Sequence, residues 1–275
     1  MRTSMRRRFS RLNLLLALLT GSLACVLGAA SLSPALAASG THREIPQCGA
    51  RSNYFDGFYH NPAAHPDTLE GASAYIVNEF GAVCDTDTSA PNPGGRTIGN
   101  NFTTAWTMIA SYDSQGWAQT GFIRGYNSPQ YEWAEFKDPV SDTVYNRFPS
   151  SPSLPNGVKH AYRELWSDSC ACIVMSIDGV EVTQTNFNPY VNWDAGPNGD
   201  QFSPQFSGET TYTSSDIPGV PSAQTAFSAM GAQQFFGNAL NSMPCTLTYT
   251  NSNTARWAHS ASSCTAFNIW TSNTG

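Results

Sequence analysis

Short runs of alternating or aromatic-rich residues, each bounded by turn-forming residues, recur along the chain and constrain its fold more than any other feature. Ten of these runs are predicted to be β-strands, because alternation with a period of two is typical of strands with one buried face. They span residues 72–77, 105–110, 117–124, 131–136, 161–166, 172–177, 180–187, 205–212, 246–250 and 265–270. About ten short strands with at most one helix indicate an all-β, single-domain protein, built as a two-sheet antiparallel β-sandwich.

Two segments carry more local information. Asp178-Gly179 separates two of the predicted strands, and this dipeptide favours a hairpin with a type I′ turn because both residues tolerate a positive φ. Residues 223–240 fit an amphipathic helix or a bent strand nearly equally, because their large apolar side chains are too few to establish a period.

The first 37 residues have the pattern of an export signal. Arginines precede the largely apolar run 14–27, and Ala35-Leu36-Ala37 supplies the small residues that a signal peptidase requires. We therefore predict a signal peptide over residues 1–37, an N-terminal tail over 38–50 and the sandwich domain over 51–275, in a secreted protein. Whether export uses the general or the twin-arginine route stays open.

Composition narrows the classes of partner. With 12% aromatic and 12% charged residues, the chain is not of the disordered type. Without the five arginines of the leader, nine basic residues stand against 20 acidic ones, a net charge near −11. Such a protein lacks the basic surface that nucleic acids or anionic membranes require. No second long apolar run follows the leader, so no membrane anchor is predicted.

Six cysteines remain after the leader is removed, and an even number in an exported chain indicates disulfide bonds. Their proximity in sequence favours the pairs Cys48–Cys84 and Cys245–Cys264. Cys170 and Cys172 are separated by one residue, and three interpretations stay open for them: a strained pair, two separate bridges or free thiols.

The sequence after the leader lacks the motifs of several enzyme classes. It contains no Gly-x-Ser-x-Gly, His-Glu-x-x-His, phosphate-binding loop or Gly-x-Gly-x-x-Gly pattern. No cofactor is therefore predicted. The acidic residues at 85–87 fail the EF-hand spacing, and they and the acids of 194–200 are interpreted as solvated loop residues rather than a cation site. The histidines are interpreted as surface residues, so no metal is predicted.

The remaining candidate chemistry lies on strands. Alternation places Trp117, Gln119 and Gly121 on one face of their strand. A buried amide without partners costs roughly 1–3 kcal/mol, which makes Gln119 unusual on a face that should be core. Glu209 shares a polar face with Ser207 and Thr211, and solvent exposure of that face explains the pattern equally well.

Residues 100–230 resemble the glutamic peptidases of the eqolisin type. The resemblance rests on Trp106, Trp117-Ala118-Gln119-Thr120-Gly121, Tyr131-Glu132-Trp133-Ala134-Glu135 and Gly208-Glu209, in that order. It implies a concanavalin A-like jelly-roll sandwich in which Gln119 and Glu209 are catalytic. Trp106 would lie near the site, and Glu135 would lie next to the catalytic residues without being one of them. The sequence differs from the family at Gly208-Glu209-Thr210, where the family has Ala-Glu-Trp.

Three functions follow from these residues. The first is a secreted, acid-active endopeptidase, in which Glu209 activates water and Gln119 stabilises the oxyanion; the ordinary Glu pKa of about 4.3 favours acid. The second is a non-catalytic, lectin-like carbohydrate-binding or cell-envelope module whose aromatic residues stack on sugars. The third is a glycoside hydrolase that pairs Glu209 with Glu135 or Glu132, with carboxyls ~5–9.5 Å apart.

These functions share a substrate surface. Trp106, Trp117, Trp133 and Glu135 are the predicted substrate-binding residues, and the substrate is a polypeptide or a polysaccharide. We expect a monomer. The peptidase hypothesis places Gln119 and Glu209 on adjacent or facing strands, within about one water of each other on a concave face.

Overall fold

Antiparallel strands make up nearly all of the regular structure. The computed structural model describes residues 48, 51–65, 67–84, 101–126, 128–149, 153–199, 201–234 and 239–272. These residues belong to one compact unit, Ala37–Gly275. The predicted signal peptide and almost all of the predicted tail lie outside the described residues, so those boundaries stay predictions.

The strands form two sheets. The seven-stranded sheet has the order β14-β1-β10-β3-β4-β5-β6, and the nine-stranded sheet has the order β15-β16-β12-β2-β7-β8-β9 with β11 and β13 also paired to β12. The elements are β1 (Arg51–His60), β2 (Leu69–Val77), β3 (Phe102–Ala110), β4 (Trp117–Gly125), β5 (Gln130–Asp138), β6 (Thr143–Arg147), β7 (Lys159–Ser167), β8 (Cys172–Ile177), β9 (Val180–Gln184), α1 (Pro189–Asn192), β10 (Ser203–Tyr212), β11 (Gly219–Val220), β12 (Ala223–Gln234), β13 (Leu240–Ser242), β14 (Leu247–Asn251), β15 (Trp257–Ser263) and β16 (Ala266–Thr271). The predicted two-sheet antiparallel sandwich is confirmed.

Alternation along the strands builds the core between the sheets. Phe122 and Phe206 from the seven-stranded sheet meet Tyr162 and Phe227 from the nine-stranded sheet in one buried cluster. Burying a side chain of this size contributes roughly 1.5–3 kcal/mol. The opposite residues of β3, β4, β5 and β10 therefore point to the outer face of the seven-stranded sheet.

The open question at 223–240 is resolved in favour of a bent strand over residues 223–234, whereas residues 235–238 lie outside the described residues. β12 covers Ala223–Gln234, and its pairing with β2 shifts register between Ser228 and Gly231. Ala229 lies there with φ 48°, as in a β-bulge that bends the strand. The bulge explains why the apolar residues of this segment fit no single period.

The predicted hairpin and two predicted disulfides are confirmed. Asp178 and Gly179 have φ 51° and 79° and connect β8 to β9. Cys48 is bonded to Cys84, and Cys245 to Cys264. Of the three interpretations for Cys170 and Cys172, the structure has the directly bonded pair.

The sequence patterns did not predict β1, β6 and β15, nor the short strands β11 and β13. β1 matters for the site because it pairs with β10 and so borders the surface described next. No helix in the described part of the chain has the length and hydropathy that a membrane span requires.

Candidate functional site

The outer face of the seven-stranded sheet carries a cleft with a volume of about 590 Å³. All six predicted site residues line it: Trp106, Trp117, Gln119, Trp133, Glu135 and Glu209. Their side chains converge because each occupies an outward-facing position of β3, β4, β5 or β10. A concave site lined by aromatic groups and a few polar groups is typical of ligand binding.

Gln119 and Glu209 lie on strands that flank β3. Gln119 is opposite Met108 of β3, whereas Glu209 is opposite Thr104. Trp106 lies between these two positions along β3. The prediction of adjacent or facing strands was therefore wrong, since one strand separates the two residues, although both side chains line the same cleft.

Glu209 is a buried carboxyl with a specific partner. Its side chain is only 7% exposed, and Trp106 Nε1 donates a hydrogen bond to its Oε2 at 2.9 Å. Solvent exposure of this face, the alternative explanation for its polar residues, is thus wrong. Burial raises the pKa of Glu209 to about 8, and the charge of Glu135 adds to this effect while the Trp106 bond opposes it.

Gln119 is held by Glu135. The two residues are directly opposite each other in the β4–β5 pairing, and Gln119 Nε2 donates to Glu135 Oε1 at 3.2 Å. Burial raises the pKa of Glu135 to about 7, against the lowering effect of hydrogen bonds that include this one. The amide nitrogen of Gln119 therefore has a partner, on a face that forms a cleft rather than the core.

The aromatic residues form a wall rather than a platform. Trp106 and Trp133 are 2% and 4% exposed and pack with Ile123. Phe55 of β1 packs edge-on against Trp106, with ring centroids 6.3 Å apart, and Trp133 Nε1 donates to Asn146 Oδ1 at 3.3 Å. The lectin-like hypothesis requires exposed stacking surfaces and no buried carboxylate, and these two tryptophans do not provide such surfaces.

Glu132 does not belong to the cleft. It pairs with the core residue Phe122, and its Oε1 lies 3.3 Å from His160 Nδ1, which is 2.7 Å from Asp178 Oδ2. The proposed glycosidase pair of Glu132 and Glu209 is therefore wrong. Among the described residues these three form the one group with metal-ligand proximity, and it lies on the core side of β5.

The cation sites considered from sequence gain no support. Residues 85–87 and Asp200 lie outside the described residues, and Asp194 Oδ1 accepts the Gly196 amide in a local turn. His60 is buried, with Nε2 3.0 Å from the carbonyl oxygen of His65. The interpretation of His60 as a surface histidine was wrong.

One buried acid behind the cleft was not found from the sequence. Glu164 lies on β7 of the nine-stranded sheet, and its side chain reaches the seven-stranded sheet. Its Oε1 accepts hydrogen bonds from the hydroxyls of Thr107, at 2.8 Å, and Thr120. Burial raises the pKa of Glu164 to about 8. The signal available in the sequence was the pair of threonines at inward-facing positions of β3 and β4.

The sequence matches no known protein family and no curated protein. The structure is similar to the crystal structure of scytalido-glutamic peptidase with a transition state analog inhibitor, with TM-score 0.51, 12% identity and coverage of 81% of this chain and 100% of that one. SCP-B, an eqolisin peptidase in complex with the tripeptide Ala-Ile-His, has TM-score 0.45, 11% identity and the same coverages. The Crh5 transglycosylase has TM-score 0.31, 9% identity and covers 59% of this chain and 62% of its own.

At such identities the likeness concerns the fold alone. The chain has the sandwich fold of scytalido-glutamic peptidase, as the resemblance of its motifs implied.

Proposed function

We propose that this protein is a secreted endopeptidase that hydrolyses peptide bonds with Glu209, Gln119 and an activated water. The observation that carries the proposal is that the two side chains line one cleft, each held by a partner: Trp106 for Glu209 and Glu135 for Gln119. The three disulfides are typical of the oxidising environment of exported proteins. The proposed active form is a monomer that acts on polypeptides without a cofactor.

The proposed reaction needs one base and one hydrogen-bond donor. Ionised Glu209 takes a proton from water as the water oxygen attacks the peptide carbonyl carbon. An N–H of Gln119 donates to the developing oxyanion. The carbon–nitrogen bond then breaks, and the proton held by Glu209 passes to the leaving amine, which returns the carboxylate to its starting state.

The pH of action follows from the two cleft carboxyls. Because the charge of Glu135 raises the pKa of Glu209, the two groups titrate as a pair, and the form that carries one proton holds both a base and an acid. With the pKa raised to about 7 for Glu135 and about 8 for Glu209, this form is most populated near neutral pH. The reaction uses the less populated of its two arrangements, in which the proton is on Glu135 and Glu209 is ionised. We therefore expect an optimum above that of an ordinary glutamate, which the sequence alone placed in acid.

The test is cleavage of a denatured protein by the purified mature protein from pH 3 to 9, beside Glu209→Gln and Gln119→Ala variants. Circular dichroism and melting temperature establish that each variant is folded. Cleavage that is lost in Glu209→Gln and reduced about 100-fold or more in Gln119→Ala supports the proposal, since loss of one oxyanion donor costs on the order of 10²–10³. Unchanged cleavage in Glu209→Gln refutes it.

A glycoside hydrolase is the second candidate, because Glu135 and Glu209 line the same cleft and interact electrostatically. Two carboxyls that face one groove, one as acid and one as base or nucleophile, are what glycoside hydrolysis requires. A panel of polysaccharides assayed with the same preparation distinguishes the two activities. It also detects binding without cleavage, which the lectin-like hypothesis predicts.

A further inference from the structure

The orientation of the Gln119 amide depends on the residue opposite it. Its Nε2 donates to Glu135 Oε1 at 3.2 Å, and no other hydrogen bond of its side chain is found among the described residues. An amide presents a donor at one end and an acceptor at the other. Whatever holds Gln119 therefore decides which end faces a substrate in the cleft.

The two protonation states of Glu135 hold the amide differently. An ionised carboxylate only accepts, so it binds Nε2 and leaves Gln119 Oε1 without a donor. It also places a negative charge beside the N–H that should stabilise an oxyanion. A protonated carboxyl donates its O–H to Oε1 while its other oxygen accepts from Nε2, and the second N–H of the amide is then the group left for the cleft.

We propose that Glu135 is a positioning residue that acts in its protonated form. Its carboxyl makes two hydrogen bonds to the Gln119 amide and so directs the remaining N–H at the substrate carbonyl. This inference rests on the proposed peptidase function and adds its regulation by pH. Activity falls at high pH because ionisation of Glu135 releases Oε1 of Gln119 and repels the oxyanion.

The surroundings of Glu135 support a neutral carboxyl. The charge of Glu135 raises the pKa of Glu209 across the cleft, so the two carboxyls repel each other when both are ionised. Hydrogen bonding from Trp117 and Gln119 lowers the pKa of Glu135, but burial outweighs it. The cation on the same face, Lys137, lies over the Trp117 ring at 5.3 Å and 2.9 Å from Asp142 Oδ1. Asn146 on β6 is uncharged. Burial raises the pKa of Glu135 to about 7, so the group stays protonated through the acid range.

Two substitutions separate positioning from a catalytic role. In Glu135→Gln, the new amide donates to Gln119 Oε1 and accepts from Gln119 Nε2. It therefore makes, at every pH, the two hydrogen bonds that Glu135 makes only when it is protonated. We expect this variant to keep clearly more activity than Glu135→Ala, and its activity no longer to fall above pH 7. Glu135→Ala removes both hydrogen bonds to the Gln119 amide. We expect kcat to fall on the order of 100-fold, because that is the cost of one misplaced oxyanion donor, and KM to change little.

Two kinetic outcomes overturn the proposal. One is a Glu135→Gln variant that loses activity above pH 7 as wild type does. The other is a Glu135→Gln variant that is inactive at every pH, which would mean that the carboxylate itself reacts, as in a glycoside hydrolase.

A measurement without substrate separates failure of the Glu135–Gln119 coupling from failure of the proposed function. The side-chain ¹⁵NH₂ signals of Gln119, identified by their absence in Gln119→Ala, are followed by NMR from pH 5 to 9. We expect a shift with a midpoint near pH 7 in wild type and in Glu209→Gln, and constant signals in Glu135→Gln. Signals that stay constant in wild type overturn the proposal. A protein that shows the shift but cleaves no peptide retains the Glu135–Gln119 coupling and loses only the peptidase function.

Discussion

Glu164 makes the stability of the fold depend on pH. It is fully buried, and the hydroxyls of Thr107 and Thr120 donate hydrogen bonds to its carboxyl. Its pKa rises from 4.5 in the unfolded chain to about 8 in the folded protein. The folded state therefore binds this proton more tightly, and its stability is highest below pH 4.5 and falls as the pH rises towards 8.

The size of the effect follows from linkage. Between pH 4.5 and 7 the unfolded chain releases the Glu164 proton while the folded protein retains it. Each pH unit costs about 1.36 kcal/mol, so the folded state loses about 3 kcal/mol relative to the unfolded state. This loss is a large fraction of the 5–15 kcal/mol that is typical of a domain.

Substitution of Glu164 by Gln tests the argument, because Gln keeps the shape and the acceptor oxygen but does not titrate. Guanidinium denaturation at pH 4 and pH 7 gives the free energy of unfolding at each pH. We expect the decline between the two values to be about 3 kcal/mol smaller in Glu164→Gln than in wild type. Glu181→Gln, which removes an exposed carboxyl, is the matched control and should decline as wild type does. Equal declines in wild type and Glu164→Gln would refute the reasoning.

Three further predictions concern the cleft and the disulfides. Trp106→Phe removes the N–H that donates to Glu209 and lowers its pKa, so the acid limb of the pH–rate profile should move to higher pH. The value of kcat/KM should also fall roughly 10- to 100-fold, because a hydrogen bond to a charged group contributes about 1.5–3 kcal/mol. An acid limb that does not move contradicts this. Gly121→Ala places a Cβ against the backbone carbonyl oxygen of Ala105 and 2.8 Å from the Trp106 Cα, so β3 and β4 must move apart there. The melting temperature should fall by the equivalent of at least roughly 1–3 kcal/mol, and an unchanged melting temperature contradicts this. Replacing both Cys245 and Cys264, 19 residues apart, by Ser should cost about 3 kcal/mol in denaturant unfolding, and the same change at the two-residue spacing of the β7–β8 turn should cost less, because a shorter closed loop constrains the unfolded chain less.

Local patterns in the sequence were sufficient for the elements and for the residues that share a face. Alternation predicted that Trp117 and Gln119 point the same way, and Asp178-Gly179 predicted its hairpin. These features depend on neighbours within a strand or a turn, where backbone geometry alone sets the direction of each side chain.

The tertiary structure decided which face is the core and which is the cleft. Glu132 and Glu135 lie on one strand, yet the first points to His160 inside the sandwich and the second to Gln119 in the cleft. Alternation places them on opposite faces but does not say which face the second sheet covers. The raised pKa of Glu209 and the hydrogen bonds from Thr107 and Thr120 to Glu164 likewise require side chains that are distant in sequence. Burial and electrostatic coupling arise only when separate strands exclude water together, and no local pattern specifies that.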